Sequence, residues 1–286
     1  MKWMLGLLFC SAFTCFSQEA VAYRLFDKNG KRSSYTKMLK AIDGADIVLF
    51  GELHDDPIAH WMQLLVARHM FEKAQSNFVL GAEMFERDQQ ERLNRYLSGK
   101  WELKTFTDST KMWSNFSTDY LPVVDFAKEN KIPYVATNIP RPYASKVFKK
   151  GLVSLDTLPA AEKQWIVPLP FTVDTTLSQY KELIEMGKEM HASGIDFAYA
   201  QAIKDATMAY SILQNWKPGN KFLHFNGSYH SDFHQSIVWY LRQANPKLKI
   251  VTISTVNQDA VNKLEEEHQQ KGDFILVVPN GMTRTM

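Results

Sequence analysis

The sequence predicts an α/β fold in which helices flank a mostly parallel central sheet. Short apolar runs of strand length alternate along the chain with helical patterns, which is typical of parallel strands joined by crossover helices. Several of these runs end in glycine or a polar residue, as buried strands do where they leave a sheet. The length of 286 residues and the apolar fraction of 45% are enough for a sizeable core. No repeat or long linker is visible, so we expect one domain with helical insertions over residues 18–286.

Residues 1–17 resemble a secretory signal peptide. Lys2 is followed by an apolar run from Trp3 to Phe16, and a small residue, Ser17, ends it. The run is shorter than the ~18 apolar residues that a membrane-spanning helix needs. We therefore expect an exported protein of the periplasm or cell envelope, cleaved near Ser17.

The cysteines and the net charge limit the kinds of protein that this chain could be. Cys10 and Cys15 both lie in the leader, so the cleaved chain would have no thiol and no disulfide. A lipid-modified cysteine is the competing interpretation, although the flanking residues Phe9 and Thr14 fit a lipoprotein signal poorly. The net charge of +2 gives no reason to expect a nucleic-acid partner. Specificity must therefore come from local sites.

The first half of the chain predicts strands that alternate with helices. Asp56 is a good N-cap and Pro57 a good first helical residue, while Gly99 and Gly151 end later helices. Residues 100–118 mix aromatic and polar side chains and predict a lid or an irregular helical insertion. The predicted strands are 23–27, 46–50, 78–82 and 133–137, and the predicted helices are 35–42, 57–74, 87–97, 120–129 and 142–151.

The second half predicts a loop-rich excursion followed by helices and three further strands. Pro159, Pro168 and Pro170 indicate irregular structure over 152–173. The predicted helices are 176–190, 195–216, one that ends near 244 and a polar one at 259–270, and the predicted strands are 221–225, 249–254 and 274–278.

Polar residues of the kinds that do chemistry follow four of the predicted strands. Because the ligand crevice of an open α/β sheet lies at the carboxyl ends of parallel strands, these side chains should share one crevice. In chain order they are Glu52, His54, Glu83, Asn138, Arg141 and His230.

Two short turns in this set have the pattern Gly-X-X-His, from Gly51 to His54 and from Gly227 to His230. Two neutral imidazoles and the Glu83 carboxylate would suit a divalent metal ion. In that arrangement Glu52 or Glu83 would accept a proton from metal-bound water, and Arg141 would stabilise a developing oxyanion. The competing interpretation is that each histidine is hydrogen-bonded to a loop.

The remaining histidines and Asp205 carry weaker expectations. His60 is either a partner of the site or an ordinary helix residue, and His234 would face the same ligand as His230 if a helix began at Ser231. Asp205 either pairs with Arg141 or a lysine, or points to solvent. The histidines that we expect to be structural are His69, His191, His224 and His268.

Five runs in order resemble the successive motifs of the ChaN family, the haem-binding uptake proteins of the Tiki superfamily. They cover about 46–241 and read GELHDDPIAHWMQ, GAEMFERDQQ, DYLPVVDFAKENKIPYVATNIPR, AYAQAIKDATMA and FNGSYH. The resemblance implies an exported, often lipid-anchored bacterial protein that binds haem for iron uptake, with an outer-membrane haem receptor as a further partner. It also implies a homodimer around two stacked haems, in which a tyrosine from each subunit ligates iron.

The residues that we expect to bind the cofactor are His60, Asn138, Tyr199, Tyr229 and His234. A haem tyrosine needs a position at the crevice mouth and a neighbour that favours its charged form. The tyrosines whose positions agree with such a role are Tyr120, Tyr180, Tyr199 and Tyr229.

The wider superfamily supplies the alternative function. It contains Tiki-type metalloproteases, TraB-like proteins and erythromycin esterases, which share the paired Gly-X-X-His turns and a glutamate. This implies a metal-dependent hydrolase, a peptidase or esterase, in which His54, Glu83 and His230 hold the ion. A third interpretation is an exported interaction domain with a relict site.

Overall fold

The computed structural model describes residues 21–189 and 193–286, and it confirms the predicted α/β fold. The predicted signal peptide, 1–17, lies outside the described residues, as does His191. Within the described residues, every helix is too short or too polar to cross a bilayer. The strands are β1 (Arg24–Asp27), β2 (Ile47–Glu52), β3 (Phe78–Glu86), β4 (Tyr134–Asn138), β5 (Lys221–Gly227), β6 (Ile250–Gln258) and β7 (Phe274–Pro279).

The seven strands form one sheet in the order β1-β7-β6-β2-β5-β3-β4. Only β1 is antiparallel to its neighbour within this sheet. Strand β5 lies between β2 and β3 in the sheet. In the sequence, however, β3 ends at Glu86 and β5 begins only at Lys221. Consequently β2, β5, β3 and β4 are adjacent, and their carboxyl ends meet at one edge.

Helices cover both faces of the sheet. Successive side chains of β2 alternate between the faces, because strand residues have a period of two. Val48 and Phe50 pack in the core cluster beneath α2, α3 and α5, and Ile47 and Leu49 pack in the cluster beneath α9 and α10. The helices are α1 (Tyr35–Asp43), α2 (Pro57–Ala74), α3 (Gln90–Leu97), α4 (Leu103–Ser109), α5 (Leu121–Glu129), α6 (Arg141–Lys150), α7 (Ala160–Lys163), α8 (Ser178–Glu189), α9 (Gly194–Asn215) and α10 (Ile237–Ala244).

The predicted cap of α2 is present and fixes the turn that follows β2. The Asp56 carboxylate accepts hydrogen bonds from the backbone N–H groups of Ile58 and Ala59, and Pro57 lies in the first turn. The Arg284 guanidinium lies 3.1 Å from the same carboxylate. This capped turn holds residues 53–56 directly above the end of β2.

Strand β3 is longer than predicted. It continues to Glu86, and its register with β4 shifts between Ala82 and Glu86. Such irregularities bend a strand and re-aim its side chains. Glu83 is the first residue after the regular pairing ends, so its carboxylate is directed to the crevice rather than along the regular pleat.

Residues 259–270 were wrongly predicted to form a helix. They form an irregular connection with one 3-10 turn at Glu266–His268. The Gln258 side chain accepts a hydrogen bond from the Glu265 N–H and donates one to the Lys263 carbonyl at 2.7 Å. These local bonds satisfy backbone groups that a helix would have used.

The helix that was expected to begin near Ser231 begins at Ile237. Phe233, His234 and Ser236 have φ angles of 58°, 56° and 52°, in a region that right-handed helices do not use. His234 is therefore not one helical turn beyond His230. The expected insertion at 100–118 does form, as α4 followed by a π-helical turn that leads into α5.

Candidate functional site

Glu52, at the end of β2, is the centre of a buried hydrogen-bond network. The Tyr120 hydroxyl donates to its Oε1 at 2.6 Å, and the Gln63 amide donates to its Oε2 at 2.5 Å. The His54 Nδ1 atom lies 3.0 Å from Oε1. Burial opposes ionisation, but the His60 and His54 imidazoles and the Tyr120 hydroxyl outweigh it, so the pKa of Glu52 is lowered.

The main chain of His54 is held from the opposite side. The Asn115 amide donates to the His54 carbonyl at 2.7 Å and to Asp119 at 2.6 Å. His60 has one ring nitrogen 3.1 Å from the His54 carbonyl and the other 3.1 Å from the Gln63 amide oxygen. Both ring nitrogens of His60 are thus engaged by protein atoms. We conclude that His60 positions Glu52 and His54.

Glu83, from the irregular part of β3, faces the end of β5. Its Oε2 accepts a hydrogen bond from the Gly227 N–H at 2.7 Å, and its Oε1 lies 3.1 Å from His230 Nε2. Burial raises the pKa of this carboxyl, but the imidazoles of His230 and His54 and the Gly227 N–H lower it by more. The pKa of Glu83 therefore lies well below its usual range.

Asp205, on α9, is the second partner of His230. Its Oδ1 lies 2.5 Å from His230 Nδ1, and its Oδ2 accepts a hydrogen bond from Tyr180 at 2.8 Å. Asp205 is fully buried and its ionisable partner is the His230 imidazole, so the expected pairing with Arg141 or a lysine and the expected exposure to solvent are both wrong. Burial disfavours the charged imidazole, but the Glu83 and Asp205 carboxylates raise the pKa of His230 to about 10.

Gly227 brings the two networks together. A Cβ at this position would lie 2.8 and 2.9 Å from two atoms of the His54 ring and 3.6 Å from Glu83 Oε2. Only glycine leaves room for the imidazole and the carboxylate to approach the backbone. Gly51 has the same role, since a Cβ there would lie 2.8 Å from the Ser228 Cα. The paired Gly-X-X-His turns therefore pack against each other.

A crevice of about 430 Å³ opens beside Glu83. Its apolar wall includes Met84, Met112 and Trp113, and the Trp113 ring contacts the His54 ring edge-on with centroids 4.6 Å apart. The polar side chains that line the crevice are Glu83, Glu86, Lys111, Asn138, Arg141 and Lys204.

Several polar groups that line the crevice have no partner of their own among the described residues. In the part of the chain that the structure describes, no carboxylate lies within 4.0 Å of the cationic groups of Lys111, Arg141 or Lys204. The Asn138 side-chain oxygen is buried and has no hydrogen-bond partner there. Buried polar atoms are normally paired, so these groups suit a ligand that carries negative charge and hydrogen-bonding groups.

The predicted metal ligands His54, Glu83 and His230 are all engaged by protein groups. His230 has a carboxylate near each ring nitrogen, and both carboxylates raise its pKa, so an ion would compete with a proton for the ring. Among the described residues, the side chains whose ligand atoms all lie within 4.8 Å of one another are Glu265, Glu267 and His268, on the surface turn after β6. His54, Glu83 and His230 converge without forming such a group.

The comparisons with known proteins identify the family. The sequence model described as haem-binding uptake, Tiki superfamily, ChaN matches residues 38–241. The chain belongs to this family. The resemblance predicted from the five sequence runs is thereby confirmed, and no curated protein matches the sequence.

Solved structures share the fold of this ChaN-family chain. The structure described as cofacial haem binding to ChaN of Campylobacter jejuni has 19% sequence identity and a TM-score of 0.68, and it covers 90% of this chain and 96% of that chain. A Bacillus cereus protein has 11% identity and a TM-score of 0.51, with 90% and 95% of the chains covered. The structure of an erythromycin esterase mutant in its open conformation has 12% identity and a lower TM-score of 0.47, and it covers 83% of this chain and 77% of that chain.

The predicted cofactor residues of this ChaN-family chain are dispersed. Asn138 lines the crevice. Tyr199 is half-buried on α9 and packs against the apolar cluster around α6. The Tyr229 hydroxyl donates to the Gln179 carbonyl at 2.5 Å. The His234 imidazole lies 3.2 Å from the Asp273 carboxylate and 3.1 Å from the Thr252 hydroxyl, among groups that do not contact His230.

Several site residues were missed in the sequence. Lys111, Trp113, Asn115 and Asp119 lie in the insertion between α3 and α5, which has no periodic pattern to point to them. Gln63 lies 11 residues beyond Glu52, on the buried face of α2. The signal that could have revealed Gln63 is a polar residue on an otherwise apolar helix face. Asp205 on α9 shows the same signal.

Proposed function

We propose that this protein binds haem and acts in haem or iron uptake outside the cytoplasm. The observation that carries the proposal is the match of residues 38–241 to a family of haem-binding uptake proteins. The crevice beside Glu83 is the site that we assign to the ligand. Its composition agrees with a flat apolar ring that bears two carboxylates.

The residues of the crevice fit haem in two respects. Met84, Met112 and Trp113 provide an apolar, polarisable wall, which suits a porphyrin face. The cations of Lys111, Arg141 and Lys204 would bind the propionates, and the N–H of the Asn138 amide would donate a further hydrogen bond. The bound haem would supply an iron centre that accepts an axial ligand from the protein.

The geometry distinguishes the candidate axial ligands. Tyr120 and Tyr180 donate to the carboxylates of Glu52 and Asp205, and burial together with these carboxylates raises both tyrosine pKa values, which disfavours a phenolate. Tyr229 also has a raised pKa, chiefly because of burial. Tyr199 donates to no carboxylate in the described part of the chain. His54 is the other candidate, because Glu52 engages its Nδ1 and its side chain is 38% exposed. Burial opposes the charged ring, but the Glu52 and Glu83 carboxylates raise the pKa of His54, so iron would compete with a proton for it.

Haemin titration tests the proposal. We expect the purified protein to give a saturable Soret shift at micromolar haemin, and no shift would overturn haem binding. Replacing Lys111, Arg141 and Lys204 together by alanine should weaken binding at least tenfold, whereas Lys263→Ala, outside the crevice, should not. Comparison of the Soret and charge-transfer bands of His54→Ala and Tyr199→Phe would show which residue ligates iron.

The assembly and the location are part of the same proposal. A homodimer in which a second copy covers the open side of the crevice would enclose the haem, and a cleaved leader would place the protein in the periplasm or cell envelope, in reach of an outer-membrane haem receptor. Light scattering with and without haemin tests the dimer. Cell fractionation, with intact mass to locate the N-terminus, tests export and distinguishes a lipid-anchored form.

A metal-dependent hydrolase is the second candidate, because His54, Glu83 and His230 converge at Gly227. In that function Glu52 or Glu83 would act as the base, and Arg141 would stabilise the oxyanion. An ion that binds His230 would have to displace Glu83 or Asp205 from one of its ring nitrogens. A stoichiometric divalent ion that is lost in a His54→Ala, His230→Ala double variant would support this candidate, and a native protein without such an ion would remove it.

A further inference from the structure

One surface corner of the molecule combines exposed apolar side chains with lysines. It consists of residues 146–153, with the sequence KVFKKGLV, at the end of α6 and the start of the following 3-10 turn. Phe148 is 40% exposed and Val153 is 73% exposed. Lys149 and Lys150 are also exposed. We call this segment the 146–153 corner.

The corner is rigid beneath its exposed side chains. Val147 and Leu155 are fully buried in the cluster that α6 shares with α9. Gly151 has a φ of 71°, which reverses the chain after α6, and its carbonyl accepts a hydrogen bond from the Ser154 hydroxyl at 2.7 Å. The Phe148 ring contacts the Phe197 ring of α9 edge-on, with centroids 4.6 Å apart. Phe148 and Val153 are therefore held out into solvent by a folded frame.

The charges at the corner are predominantly positive and unpaired. Lys149 and Lys150 form no ion pair within the described residues, and Lys146 donates only to the Thr157 hydroxyl, at 3.2 Å. The Asp196 carboxylate lies close to Gly151 but pairs with none of these lysines. The free carbonyls at the end of a helix add partial negative charge, which the two terminal lysines offset.

We propose that the 146–153 corner docks on the surface of a bilayer that contains anionic lipid. Apolar side chains that project beside lysines can enter the interface while the ammonium groups pair with headgroup phosphates. A second copy of the chain fits the corner less well, because a two-fold contact would bring each set of lysines against the same lysines of its partner. The charge thus selects an anionic surface.

The docking would place the proposed ligand crevice close to the membrane. Helix α6 begins at Arg141, which lines the crevice, and ends at the corner. Its 10 residues extend about 15 Å. The docking itself does not rest on haem binding, and it can be tested without haem.

Vesicle sedimentation tests the proposal with the exported protein, whose N-terminus is verified by intact mass in every variant. We expect binding to vesicles of phosphatidylcholine mixed with phosphatidylglycerol, weaker binding to phosphatidylcholine alone, and loss of binding as salt rises. The double variants Phe148→Ser, Val153→Ser and Lys149→Glu, Lys150→Glu should each bind at least about tenfold more weakly. The matched controls Leu103→Ser and Lys263→Glu should bind as the unmodified protein does.

A site-specific probe separates the corner from any contribution of the leader. The sequence has no cysteine beyond Cys15, so Val153→Cys and Leu103→Cys can each be labelled with an environment-sensitive fluorophore. We expect a blue shift on anionic vesicles for the label at 153 and none for the label at 103. Equal shifts, or equal sedimentation of the corner variants and the controls, would overturn the proposal. So would a concentration-dependent dimer that the Phe148→Ser, Val153→Ser variant abolishes.

Discussion

At the scale of single residues, the site depends on pairs that satisfy each other's buried charge. Glu83 and His230 are both buried, and each would be costly to bury without the other. Gly227 is the residue that allows His54 to reach the same place, because its missing side chain leaves space for the imidazole ring. The missing side chain of Gly227 therefore lets His54 and Glu83 approach the same stretch of backbone.

A methyl group at Gly227 should displace His54. In Gly227→Ala the new Cβ would approach the imidazole to 2.8 Å, so we expect a loss of about 1 to 3 kcal/mol of unfolding free energy and a weakened haem response. Gly281→Ala is the matched control, since a Cβ there has no neighbour within 4 Å. Denaturant unfolding measures the first effect. Equal stability of the two variants would contradict the close contact.

His224 should make the fold sensitive to acid. It is fully buried between the Thr137 hydroxyl at 2.8 Å and the Asn226 amide oxygen at 3.1 Å, and burial lowers its pKa to about 4. The unfolded chain takes up a proton near pH 6.5 and the folded chain does not, so stability falls as the pH decreases from about 6.5 to about 4, by up to about 3 kcal/mol. In His224→Gln this part of the pH dependence should vanish. Parallel curves for the two proteins between pH 7 and 5 would show that His224 does not titrate in this way.

At the scale of elements, the exposed edge of the sheet has a built-in cover. Strand β4 is the last strand, and its free backbone groups would be open to another chain. The Gln90 side chain on α3 donates to the Tyr134 carbonyl at 2.9 Å and accepts from the Ala136 N–H at 2.7 Å. The amide thus takes the place of a peptide group of a further strand.

Removing this cover should destabilise the protein and expose the edge. We expect Gln90→Leu to lose about 1 to 3 kcal/mol, because two buried backbone groups lose their partners, and to associate as concentration rises. Gln164→Leu, at an exposed position where the amide donates to the Ala161 carbonyl, is the control. Urea unfolding and light scattering are the measurements. A Gln90→Leu protein as stable and as monodisperse as the control would refute the role of the amide.

At the scale of the whole molecule, one buried chain of contacts joins elements that are distant in sequence. Tyr180 on α8 contacts Asp205 on α9, Asp205 contacts His230 after β5, and His230 contacts Glu83 on β3. The crevice therefore depends on the docking of α8 and α9 over the sheet.

Tyr180 and Asp205 should be energetically coupled. We expect Asp205→Ala to cost roughly 3 kcal/mol and Tyr180→Phe about 1 kcal/mol, with a double variant less destabilised than the sum by about 1 kcal/mol. Tyr23→Phe, at the opposite edge of the sheet, should be additive with Asp205→Ala. Denaturant unfolding of the two cycles gives the coupling energies. Additivity in both cycles would show that the Tyr180 hydroxyl contributes nothing through Asp205.

Periodicity and turn chemistry determine much of this protein from the sequence alone. The buried strands, the capped start of α2 and the polar residues at the strand ends are local patterns, so they were predictable, as was the ChaN family from motifs in fixed order. The helix predicted at 259–270 does not form, because hydrogen bonds between the Gln258 side chain and the backbone compete with helix formation. The periodicity of the sequence contains no sign of that competition.

The partners of the site residues were decided by packing in three dimensions. His230 lies between Asp205 and Glu83 because β5 inserts beside β3 and α9 packs over β4 and β3, and neither arrangement has a local signature. The same placement raises the pKa of His230 through its two carboxylate neighbours, a shift that no local pattern indicates, since the charge of a buried group depends on its neighbours in space.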